Sequence, residues 1–188
     1  MSDLISVAVI GKSSDKLAEE LGISPSPLES ADLALFIVSA TEGIVRADID
    51  VWQRARELYI PSIVVVSDTE NAELDFDDMT AIASKMLDPE TTRFLVLHSD
   101  DGFPVALIDL ETLSIINYSD ESPTVSESEQ EHRDLVGEYV QEYREKVEEA
   151  GEDGFIQGLL FPALPWITDS RLGLDQIQDL ISQIPSLR

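Results

Sequence analysis

The sequence predicts an α/β protein: a doubly wound, mostly parallel sheet with helices on both faces and a small α+β block inserted before its last strand. Three observations predict this. Leu33–Ser39 and Ile63–Ser67 are continuous apolar runs, as parallel strands covered on both faces require. The amphipathic stretch between them, roughly Ala47–Tyr59, completes a strand–helix–strand unit. From Arg93 to Tyr118 the pattern changes to short strands separated by turns.

In chain order, Leu4–Ile10 is a first buried strand ending at Gly11, and Ser13 or Ser14 caps a short helix over Asp15–Leu21 that stops at Gly22. Ser24-Pro25-Ser26-Pro27 is a loop. The central helix carries one apolar stripe of Ile49, Trp52, Ala55 and Tyr59, flanked by Val51 and Leu58. A second helix starts near Asp75, with Phe76, Met79, Ile82, Ala83 and Met86 on one face and acidic residues in its first turn, and ends at Asp88-Pro89. Phe94–His98, Pro104–Asp109 and Leu113–Tyr118 form an antiparallel meander. Ser119–Glu131 is acidic and serine-rich and is expected to be partly mobile. One long helix is expected over Glu129–Ala150, then a proline-interrupted strand at Phe161–Ile167 and a terminal helix closed by Pro185. The expected division is an α/β domain of residues 1–88 plus 155–188 and an inserted subdomain of residues 89–154.

With 188 residues and 43% apolar content the chain is long and apolar enough to bury a core. A net charge of −26 argues against direct binding of nucleic acid or anionic membrane and leaves basic protein partners open. No cysteine is present, so disulfides and thiol chemistry are excluded. The start, MSDLISVAVIGK, lacks a basic leader, and no apolar run approaches the ~20 residues of a membrane span. A cytoplasmic location is expected.

In open α/β sheets ligands sit at the carboxyl ends of the strands. Here those ends read Gly11-Lys12-Ser13, Ser39-Ala40-Thr41-Glu42 and Ser67-Asp68-Thr69-Glu70. No catalytic constellation is recognisable: there is no nucleophile elbow, and His98 and His132 lie in no metal-ligand spacing. Asp75-Phe76-Asp77-Asp78 lacks the glycine and spacing of a calcium loop. Neither a catalytic nor a metal residue is expected.

From Ala31 onward the chain resembles the GTP-binding domain of elongation factor G, a translational GTPase, with its inserted subdomain. The resemblance rests on D-x-A-L-x-x-V-x-A, a glycine turn, and V-W-x-x-A-x-x-x-x-I-P-x-I-V-x-V in the central unit. It extends to GFPVALIDLETLSIINYSDE at Gly102–Glu121, EYREKVEEAGED at Glu142–Asp153, and FPALPWITDSRLGLDQIQDLISQIPS at Phe161–Ser186. It implies a truncated P-loop GTPase-like fold.

The departures are informative. Gly11-Lys12-Ser13 is similar to the tail of a phosphate-binding loop, whose first glycine would fall on Ser6, inside the strand. Ala31 follows Gly11 by only 20 positions, where the family places both switch segments, two strands and the D-x-x-G loop. The guanine-reading N-K-x-D falls on Ser67-Asp68-Thr69-Glu70: Ser67 is short, Asp68 reverses a lysine's charge, and Glu70 is one methylene too long. The resemblance therefore implies a non-catalytic, nucleotide-free relative acting through protein contacts, with no cofactor. The alternative is a GTP- or GDP-binding protein linked to translation, with magnesium and a divergent site of Gly11, Lys12, Ser13, Asp68 and Glu70. Loss of two strands leaves Leu4–Ile10 at a sheet edge, covered by Asp15–Ser30 or paired with a partner strand or a second copy.

Overall fold

The computed structural model describes residues 5–185; Leu4 of the expected first strand and Ser186 lie outside the described residues. The order is β1 (Val7–Gly11), α1 (Ser14–Leu21), β2 (Leu33–Ser39), α2 (Arg46–Glu57), β3 (Ser62–Ser67), α3 (Phe76–Met86) and β4 (Glu90–Thr92). Then come β5 (Phe94–His98), β6 (Pro104–Asp109), β7 (Ser114–Asn117), β8 (Thr124–Glu127), α4 (Gln130–Leu135), α5 (Gly137–Ala150), β9 (Phe161–Trp166) and α6 (Leu174–Gln183). Five strands form a parallel sheet in the order β1-β2-β3-β9-β4. Four form an antiparallel sheet, β5-β6-β7-β8.

The apolar runs are continuous because both faces of the parallel sheet are covered. In β2, Leu33, Leu35 and Ile37 join one core with Leu17 and Leu21 of α1 and Leu174 and Ile177 of α6. Ala34, Phe36 and Val38 join the opposite core with Trp52 and Ala55 of α2 and Phe76, Met79 and Ala83 of α3. The antiparallel sheet shares the first of these cores through Phe94, Leu107 and Tyr118. The Tyr118 hydroxyl donates to Gln176 Oε1 on α6 at 2.9 Å, which fixes that junction. Trp52 stacks edge-on against Phe36 and Phe161 and donates from Nε1 to Asp88 at 2.7 Å. Arg56 lies over the Phe161 ring, donates to the same carboxylate, and reaches the Gly158 carbonyl at 2.8 Å. One helix thus clamps the last strand and the segment leading into it.

The faces also reveal the hand of the connections. β1, β2 and β3 lie side by side in that order, yet α1 crosses one face and α2 the other. The two crossovers therefore have opposite hands. α3 carries the chain onward in the same direction on the α2 face. The left hand occurs in about 2% of such units; α2 and α3 agree, so the rare hand belongs to α1.

β1 is an edge strand with β2 as its neighbour. Its amino end is shielded: Ser26 N–H donates to the Val7 carbonyl at 2.8 Å from the segment following α1.

Several expectations need correction. Glu90–Thr92, given no structure from sequence, is an edge strand of the parallel sheet; its three polar residues carry no strand pattern. Part of the segment expected to be mobile is β8, paired in register with β7; all four of its residues are exposed, so it shows no apolar alternation. The single helix expected over Glu129–Ala150 is two, α4 and α5, broken at Val136 (φ −95°, ψ 4°) ahead of Gly137. Val136 and Val140, one turn apart at the start of α5, both pack beneath Leu95, Ile108 and Leu110. Tyr59 is not on the apolar stripe of α2: it follows the C-cap Leu58 with φ 57° and is 81% exposed, and Ile60 takes the buried place as the chain turns into β3. The prolines of β9 are accommodated because pairing with β3 begins, and pairing with β4 ends, at Ala163. Pro162 precedes the first of these ladders and Pro165 follows the second, so each has an open flank.

Candidate functional site

The carboxyl ends of β1, β2 and β3 meet in one polar cluster built around Lys12. Gly11 leaves β1 with φ 110°, and a Cβ there would lie 2.3 Å from the Ile37 carbonyl oxygen on β2. This close approach, rather than a bound phosphate, accounts for the glycine. It places Lys12 over the neighbouring strand ends. The Lys12 ammonium lies 3.0 Å from Glu42 Oε1 and 3.4 Å from Asp68 Oδ2, and donates to the Thr41 hydroxyl at 3.3 Å. Asp68 Oδ2 also accepts from the Ser39 hydroxyl at 2.5 Å. Asp68 itself sits in the left-handed region (φ 62°), a conformation Asp tolerates, and this turns its carboxylate back over the sheet. The hydrogen bond to Glu42 is the largest influence on the Lys12 ammonium; desolvation, second in size, opposes it, and the charge of Asp68 helps to hold the pKa above the usual lysine range.

The structure brings Lys12 and Asp68 together and adds Thr41, Glu42 and Ser39. It does not bring in the other two candidates. Ser13 takes the residue position before α1 with φ 61° and makes no side-chain cap. Glu70 lies in a short 3-10 turn, its Oε1 accepting from Asn71 at 3.1 Å while Oε2 is buried without a partner. Sequence reading named these strand ends but not the ion pairs between them. The legible sign was a lone lysine at the first end facing acids at the next two.

A phosphate-binding loop works by enclosing an anion in backbone N–H groups with a free ammonium above it. Here the chain passes from β1 to α1 through Lys12 and Ser13 alone, and the ammonium is neutralised by two carboxylates of the same chain. The residues present do not fit a nucleotide triphosphate. Among the described residues no group of three or more His, Asp or Glu side chains is placed to hold a metal ion. Nor is any helix of the described residues long and apolar enough to cross a membrane.

No family model matches the chain, and no curated protein matches it. By structure it is similar to a protein of Thermus thermophilus solved by crystallography, with a TM-score of 0.74 and 24% identity. The alignment covers 91% of this chain and 28% of that one, so the chain spans less than a third of the length of the protein it matches. At this identity the likeness establishes the fold alone, a mixed α/β architecture in which a five-stranded parallel sheet is joined to an antiparallel one.

Proposed function

We propose that this chain is a non-catalytic relative of the elongation factor G GTP-binding domain that has given up its nucleotide and acts in the cytoplasm through contacts with other proteins. The observation that carries the reading is Lys12. In a working site its ammonium would face phosphate oxygens; here Asp68 and Glu42 supply the anionic partners from within the chain. The hand of the α1 connection supports the descent. Were two further strands present beyond β1, α1 would run outward with the common hand; without them it must turn inward to β2 with the rare one. The open flank of β1 and the net charge of −26 favour either a basic protein that adds a strand or a second copy of the chain.

Calorimetric titration of the full chain with GDP, GTP and ATP in magnesium is expected to give no binding heat. Micromolar affinity for any of them would overturn the proposal. One observation favours a second reading, a guanine-nucleotide binder with a divergent site: Glu70 Oε2 is a buried acceptor without a donor, at the position where the resemblance places a base-reading carboxylate. That reading requires magnesium-dependent GDP binding lost in both Lys12→Ala and Glu70→Gln.

A further inference from the structure

We propose that a cavity at the other end of the parallel sheet, enclosed by α5, α6, β6 and the amino end of β9, is a binding site for a small organic cation with an apolar, aromatic-compatible body. The cavity holds about 410 Å³, within the range of small-ligand sites. Leu160 and Pro162, at the start of β9, line it, whereas the Lys12 cluster lies beyond the strand's far end, where Trp166 pairs with Ser67. The two places are separate, and the cavity's occupant does not depend on whether a nucleotide binds.

Its chemistry selects the ligand class. The floor is apolar: the buried rings of Phe94 and Phe155 contribute, with Leu180 of α6 above them. Four carboxylates line it, Asp109, Glu111, Glu152 and Asp179, against one cation, Arg93. That cation is already committed. Arg93 donates from Nε and Nη2 to the two oxygens of Asp109 at 2.9 and 2.7 Å, and Nη1 lies 2.7 Å from Glu111. Arg93 also lies 5.3 Å from the centre of the Phe94 ring, which holds it flat against the wall. Burial is the largest single influence on the Asp109 carboxyl and opposes its ionisation; the Arg93 hydrogen bonds, the Glu111 backbone N–H and the guanidinium charge together outweigh it and hold the carboxyl below the usual carboxylate range. The charge of Arg93 is therefore already matched by two carboxylates of the same wall, Asp109 and Glu111. Glu152 and Asp179 stand at the mouth with no ion-pair partner among the described residues. Tyr143 adds a hydroxyl that burial keeps protonated, an acceptor for an ammonium N–H. A cavity with aromatic walls and surplus negative charge attracts a cation by Coulomb and cation–π forces and rejects a carboxylate.

The test is titration of the isotopically labelled full chain with 2-phenylethylamine, followed by amide chemical shifts. 2-Phenylethanol and 3-phenylpropionate serve as its neutral and anionic counterparts. The amine is expected to shift residues lining the cavity in a saturable way, with the alcohol weaker and the carboxylate silent. Asp179→Asn should weaken the amine about three- to fivefold, as expected for an ion pair at a rim. Leu180→Trp, or Val147→Phe if that variant does not fold, narrows the cavity and should weaken the amine roughly tenfold or more. Lys12→Ala should leave it unchanged, which separates this site from the strand-end cluster. No saturable shift with the amine, equal binding of the three compounds, or undiminished binding in the narrowed cavity would each overturn the proposal.

Discussion

Replacing Glu90 with glutamine is expected to remove a loss of stability that accumulates between about pH 4.5 and 9, and replacing it with methionine is expected to raise stability outright. Glu90 is 2% exposed, and neither of its carboxylate oxygens has a partner. Burial pushes its pKa up to about 9, with the Lys146 ammonium opposing this only in part. That ammonium is spent instead on the Glu90 backbone carbonyl, 3.1 Å away. The sign follows from proton binding. Between the ordinary glutamate value of 4.5 and about 9 the folded chain holds a proton that the unfolded chain releases. Stability is therefore greatest below pH 4.5 as far as this group is concerned. It falls as pH rises, by at most about 1.4 kcal/mol per unit, and levels off above about 9. At pH 8 the accumulated cost is on the order of 3–5 kcal/mol. Glu90→Gln should flatten this slope while keeping an unpartnered buried polar group. Glu90→Met should flatten it and recover a further ~1–3 kcal/mol, because nothing polar remains to desolvate. Urea midpoints measured from pH 5 to 9 decide the matter: if the parent chain and Glu90→Gln follow parallel curves, the buried carboxyl is not the cause.

Gly173→Ala is expected to be the most damaging small substitution. Gly173 precedes α6 with φ 88°, and a Cβ there would fall 1.7 Å from the Pro165 carbonyl oxygen and 2.8 Å from its carbon. Pro165 belongs to β9, so the clash cannot be relieved without moving a central strand or the helix that covers it. A loss of at least about 3 kcal/mol is expected, a fall in melting temperature of roughly 10 °C for a chain of this size. Gly102→Ala separates the clash from the backbone strain. Gly102 has a similar φ of 83° but open space around it, in the hairpin between β5 and β6, so its cost should stay near 1–2 kcal/mol. Thermal melts giving the two variants equal losses would show that backbone conformation, not the approach to Pro165, is what matters.

What the sequence made legible follows from how its signals arise. The β2–α2–β3 unit could be read because burial on both faces imposes unbroken apolar runs, and Leu33–Ser39 was located to the residue. The edge position of β1 was legible from the short interval after Gly11. β4 and β8 were not, because each has polar or exposed residues and owes its strand geometry to pairing rather than to its own composition. The break between α4 and α5 was hidden because the apolar stripe of Val136, Val140 and Val147 starts only at the break, and α4, with no buried residue, carries no core position to mark it. At the candidate site, the residue types at the strand ends were visible. The neutralisation of Lys12 was not, since it depends on the left-handed turn at Asp68. The Arg93-lined cavity draws on segments from Thr91 to Gln183, and no local pattern announces it.

The position of β9 bears on how a ribosome must deliver this molecule. β3 and β4 do not touch directly; the strand that fills the gap between them is made only after the whole antiparallel unit. While Phe161–Trp166 is still inside the exit tunnel, β3, whose residues are all buried in the folded protein, presents an unpaired edge of backbone N–H and C=O groups. Closing that gap joins segments far apart along the chain, a slow step among folding events. The nascent chain is therefore expected to engage holding chaperones during synthesis of residues 93–160, and to release them once β9 and α6 emerge.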